Sequence, residues 1–210
     1  MNPLQRIWTQ PRETIREIAS SRPGYLFIPL AGAYGAVHSL SKVMTRGVDP
    51  AQGLTSIQIL GVNLAVGSLL GIAGLYAFSF PLSWVGKLLG GVAEPRKVRT
   101  VLAWASVPFL PLLAVVIPLT LFGPSTLLVR EPGSPLWAPG SAWAAPVLLY
   151  FVLWMILGVW LCVIGVVGLS EVNAFSIGRS IASYLIVVVA FLAVCFAVVL
   201  FLVSLANVKT

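Results

Sequence analysis

Between Tyr25 and Ala206 the chain strings together five long apolar stretches with few charges inside them, and that pattern leaves little choice of fold. About 20 apolar residues, rising 1.5 Å each, cross a hydrocarbon core of about 30 Å. Within lipid, only helices and closed barrels satisfy their own backbone hydrogen bonds. The stretches are continuous runs of Leu, Val, Ile and Ala, unlike the short alternating segments of a barrel. The expected fold class is therefore all-α: a polytopic membrane protein with five transmembrane helices in a bundle. The spans are expected at about 25–43, 57–84, 101–122, 147–168 and 181–206.

Only 9% of the 210 residues are charged, and the mean hydropathy is +0.99. A membrane domain over 25–206 and a short segment over 1–24 account for the chain, with no stretch polar enough for a separate soluble domain. Met1 to Gly24 holds four arginines and two glutamates without the apolar core of a signal peptide, so the first span is expected to be an uncleaved anchor. In this segment Leu4, Ile7, Trp8, Pro11, Ile15 and Ile18 recur at helical spacing, with Arg6, Arg12, Glu13 and Arg16 between them. This predicts an amphipathic interfacial helix from Pro11 to about Ser20, lying on the membrane with Trp8 at headgroup depth.

The net charge of +7 reads as topology. With the N-terminus inside, inner segments hold nine basic residues and outer ones four. The excess places the N-terminus in the cytoplasm and the C-terminus on the opposite side of a prokaryotic plasma (inner) membrane. These cations sit at span ends and form no continuous patch, which argues against nucleic acid and for membrane lipid as a partner.

Inside the spans, Gly67 and Gly71 stand at the GxxxG spacing that lets helices approach closely. Packing within the molecule is the first expectation, and a homo-oligomer through the same face the second. Span two is expected to tilt or to end in an interfacial turn near Phe80 and Pro81. Pro108, Pro111 and Pro118 interrupt span three and predict a kinked or broken helix. Gly123 to Pro146, with Trp137 and Trp143, reads as a loop hugging the interface. Cys162 and Cys195 read as small buried hydrophobes, not a disulfide. His38 and Asn63 are the intramembrane polar candidates, expected to form a hydrogen-bonded clamp between spans one and two. With one histidine and no cluster of acids on any span, no catalytic, metal or cofactor site is expected.

The sharper candidates lie in the inner loops. Glu94, Arg96, Lys97 and Arg99 crowd one connection, and Glu171 and Arg179 flank another. Brought together, they would make a mixed-charge patch able to steer and orient a protein partner.

The lead Trp8-Thr-Gln-Pro11, the loop Gly86-Lys-Leu-Leu-Gly-Gly91 with Lys97-Val-Arg99, and Trp104-Ala-Ser-Val-Pro108 form a loose set of motifs. Gly165-Val-Val-Gly168-Leu-Ser-Glu171 and Gly178-Arg179-Ser-Ile-Ala182 complete it. Together they resemble the Yip family, the Ypt/Rab-interacting five-span membrane proteins, in its compact prokaryotic form. The resemblance implies a cytoplasmic N-terminus, an opposite C-terminus and, in eukaryotic relatives, an association with Rab GTPases and membrane trafficking. The expected function is a non-enzymatic membrane scaffold or adaptor that binds proteins or organises lipid locally. The alternative is a small transporter, pore or lipid mover using the kinked third span.

Overall fold

A computed structural model of the chain describes residues 2–48, 53–123 and 144–207. Among them, helices dominate and no strand forms. The helices are α1 (Pro3–Arg6), α2 (Pro11–Ser21), α3 (Phe27–Arg46), α4 (Ser56–Leu88), α5 (Pro95–Ala105), α6 (Leu113–Phe122), α7 (Ala144–Asn173) and α8 (Ile177–Asn207). A 3₁₀ segment, Val107–Leu112, joins α5 to α6. The Trp137 and Trp143 loop lies outside the described residues.

Among the described residues, four helical stretches are long and apolar enough to cross a membrane: Ser56–Leu88, Pro95–Phe122, Ala145–Asn173 and Ile177–Phe201. These match four of the five expected spans. The exception is α3, which is 20 residues long and carries His38, Ser39, Ser41 and Lys42. It is no peripheral element, for it packs closely against α4, from Ala31 at Gly71 to Ser39 at Asn63. Span two does not turn at Pro81. The helix continues to Leu88, because Leu82 and Val85 beyond the proline are buried in a cluster with Val98, Leu169 and Val187. That packing offsets the roughly 3 kcal/mol an interior proline costs.

Local chemistry sets several boundaries. Thr55 and Gln58 form a reciprocal capping box at the start of α4. Pro11 and Pro95 open α2 and α5 at the position where a missing N–H costs nothing. Gly90, at φ +85°, supplies the left-handed residue after α4 that a side chain would strain. Pro108 and Pro111 fall within the 3₁₀ segment and Pro118 within α6.

The N-terminal helices fold back onto the bundle. Ile7 and Ile15 are fully buried and Ile18 nearly so, in one cluster with Val101, Trp104 and Ile164. Ile15 fits over Gly168 of α7, where a Cβ would also come 2.8 Å from Val101 Cγ1. The apolar face of α2 is therefore covered by α5 and α7, and the half-buried Trp8 packs against the same cluster. Amphipathicity here is used on the protein's own helices.

Candidate functional site

One end of the bundle gathers the start of α3, the end of α4, the start of α5 and the α7–α8 turn. Asn173 joins them. Its Oδ1 accepts the Ala93 N–H at 3.2 Å, its Nδ2 donates to the Leu169 carbonyl at 3.1 Å, and its own carbonyl accepts the Val92 N–H at 3.3 Å. Thr100 Oγ1 accepts the Gly24 N–H at 3.0 Å, and Trp104 Nε1 donates to the Tyr25 carbonyl at 3.0 Å. These bonds tie the segment leading into α3 to α5.

The six charged candidates all lie at this end, but they do different things. Glu171 is largely shielded and is bridged by Arg16 Nε at 2.5 Å and Arg12 Nε at 3.4 Å, both from α2. The Glu171 carboxylate in turn holds the Arg16 guanidinium more firmly protonated than usual, chiefly through their hydrogen bond. Arg99 turns inward, its guanidinium 4.6 Å from the Tyr76 ring centroid and 6.0 Å from that of Phe27. Arg96 lies over Gly24, and Arg179 reaches toward Gly90. Lys97 shares a shallow pocket with Arg16, Ser20 and Glu171. Glu94 precedes α5 without capping it by its side chain. Glu94, Arg96 and Arg179 are exposed. The sequence missed the latch from α2: Arg12 and Arg16 are one helical turn apart, and nothing local marks Glu171 as their partner.

The intramembrane pair is rearranged. Asn63 does not meet His38. Its Oδ1 accepts from Ser39 Oγ at 2.7 Å, and its Nδ2 returns to the Ile59 carbonyl at 2.8 Å. His38, one residue earlier on α3, points about 100° away on the helix. Its ring stacks between Tyr34 and Trp154, at centroid distances of 6.2 and 6.4 Å, and its buried Nδ1 finds no hydrogen-bond partner among the described residues. Ser41 of α3 does pair across the bundle, with the Tyr150 hydroxyl of α7.

Gly67 and Gly71 face Gly35 of α3. A Cβ on Gly67 would stand 2.7 Å from the Gly35 carbonyl oxygen, and one on Gly71 2.8 Å from the Gly35 Cα. The room their missing side chains leave is used within the molecule, by the close approach of α3 to α4. Cys162 and Cys195 are free thiols on outward helix faces, so their apolar surroundings are not the protein interior. Among the described residues, no three His, Cys, Asp or Glu side chains gather as a metal site needs.

Comparisons with curated proteins and with solved structures return no match. The Yip1 domain family model matches residues 6–201, from the docked N-terminal helices through most of α8. The chain is a membrane protein that belongs to the Yip1 domain family.

Proposed function

We propose that this protein is a membrane scaffold or adaptor that captures a partner at its charged end. In this reading α3 is a fifth span, the N-terminus is cytoplasmic, and the C-terminus lies across a plasma membrane. The observation that carries the proposal is the α2 latch. Arg12 and Arg16 consume the charge of Glu171 and fix a surface on which Arg96, Lys97 and Arg179 remain without an ion pair among the described residues. Such a preorganised cationic face suits an acidic segment of a soluble or membrane partner.

The transporter reading is less well supported. Broken helices in transporters line water-filled cavities. The 3₁₀ segment here is packed in protein, with Val107, Phe109 and Leu112 buried, and Phe109 wedged edge-on against Tyr34 and Trp154.

The test is gentle affinity purification from native membranes with mass spectrometry, comparing the wild type with an Arg96→Glu/Lys97→Glu variant. Loss of a stoichiometric partner in the variant, with normal membrane insertion, is the expected result. Unchanged partners in the variant, or a wild type that brings down no protein, would overturn the proposal.

A further inference from the structure

A groove of about 590 Å³ runs along the α3–α4 pair and is walled by Leu102 of α5 and Leu161 of α7. Its size falls within the about 300–1,000 Å³ of pockets that hold small ligands. The floor is unusually bare. Gly35, Gly67, Gly71 and Gly74 all line it, so backbone substitutes for side chains over much of its length.

The groove has one cationic end. On α3 its lining extends from Ala31 to Lys42, about 16 Å at a helical rise of 1.5 Å. That matches the ~15 Å depth of hydrocarbon in one leaflet, half of a core about 30 Å thick. Lys42 stands four residues before the end of α3 and makes no ion pair with the described residues. A lysine there extends its ammonium toward headgroup level while its stem stays in apolar surroundings.

An apolar trough one leaflet deep, with an unpaired ammonium at its mouth, has the chemistry of a single amphipathic anion. We infer that this groove seats one acyl chain of an anionic phospholipid, with the headgroup phosphate against Lys42. The inference rests on α3 crossing the membrane, and it uses a face distinct from the docking end. A phosphate–ammonium bond is charge-assisted, roughly twice as strong as a neutral one. Lys42 therefore selects the headgroup, and the glycine floor admits the chain.

Gly74 gives a direct test, because a Cβ there meets nothing within 4 Å. Gly74 also lines the groove, so a Gly74→Phe ring is placed at the groove wall without forcing the helices apart. Gly61 is equally open and lies outside the lining, so Gly61→Phe is the matched control. The full chain, stripped in detergent, is titrated with phosphatidylglycerol or phosphatidylcholine, and retained lipids are counted by native mass spectrometry. The wild type and Gly61→Phe retain one phosphatidylglycerol in preference to phosphatidylcholine, and Gly74→Phe retains none. Lys42→Gln, at an exposed side chain, lowers the preference about tenfold, the change expected on losing one charge-assisted bond. Equal retention of the two lipids by the wild type, full retention by Gly74→Phe, or an unaltered preference in Lys42→Gln would each overturn the inference. Lys42→Gln decides alone if Gly74→Phe does not fold. None of these readouts involves the Arg96 and Lys97 surface, so the lipid site and the docking proposal can fail separately.

Discussion

Asn173 and Ala93 are joined by a buried hydrogen bond across 80 positions of sequence, the Ala93 N–H donating to Asn173 Oδ1. The same side chain crowds the Gly90–Gly91 turn: a Cβ on Gly91 would lie 2.9 Å from Asn173 Cβ and 2.8 Å from the Gly86 carbonyl oxygen. The end of α7 thereby dictates where α5 begins, and with it the placement of Glu94, Arg96 and Lys97.

Asn173→Leu leaves the Ala93 N–H without an acceptor in a site closed to water. Orphaning a buried donor costs about 1–3 kcal/mol. The variant should unfold at a lower temperature in detergent, and amides of residues 92–94 should exchange faster than those of α6. Exchange confined to α6 would show that Asn173 does not organise this end.

Replacing Gly35 by leucine drives a side chain into backbone already touching Gly67 and Gly71. Overpacking typically costs about 1–3 kcal/mol or more, and here the obstruction is backbone that cannot rotate away. Gly35→Leu should separate α3 from α4 and fail to give a monodisperse species. Gly61→Leu, with open space around it, should behave as the wild type. Comparable elution of both variants in size-exclusion chromatography would refute the close approach.

Glu171→Gln removes the carboxylate that Arg12 and Arg16 share. Both arginines are substantially exposed, so salt screens much of their attraction. The buried Ile7 and Ile15 still hold the segment. The expected outcome is partial release: limited proteolysis at the Arg22 linker rises several-fold in the variant, and rises in the wild type as salt increases. Cleavage insensitive to both changes would assign the docking to the isoleucines alone.

Ser39→Ala and His38→Phe should move stability in opposite directions. The first strips Asn63 of its interhelical donor and costs about 1 kcal/mol, the net worth of one such bond. The second replaces a ring whose Nδ1 is unsatisfied with an apolar ring that can stack between Tyr34 and Trp154, so stability holds or rises. Thermal melts of the two variants side by side check both signs. A large loss in His38→Phe would mean that the imidazole has a polar partner.

Hydropathy made α4, α7 and α8 legible in the sequence, because a long apolar run in lipid has few alternatives to a helix. The glycine spacing in α4 was equally visible, but its partner Gly35 was not, since pairing across helices leaves no mark on either sequence. An amphipathic stripe says that a face is covered without saying by what, and α2 spends its stripe on α5 and α7. The His38–Asn63 expectation failed through helical register: Ser39, one residue on, is the neighbour that faces α4. Pro81 misled for a related reason, as a breaker tolerated when the residues beyond it are well packed. The gathering of charged loops at one end followed from topology and could be anticipated. The attachment of Glu171 to α2 could not, being a contact across 155 positions.

The last helix departs from the rest. Ser180 anchors its start by donating to the Val166 carbonyl at 2.7 Å, and Phe191 still meets Phe78. Beyond that point Leu192, Val194, Phe196, Val199 and Phe201 are all exposed on the isolated chain. Their environment asks for oiliness, not for shape. This half of α8 should therefore accept free exchange among Leu, Val, Ile and Phe while rejecting any single charge near its middle, a substitution tolerance opposite to that of the glycine seam, where volume is policed to the methyl group.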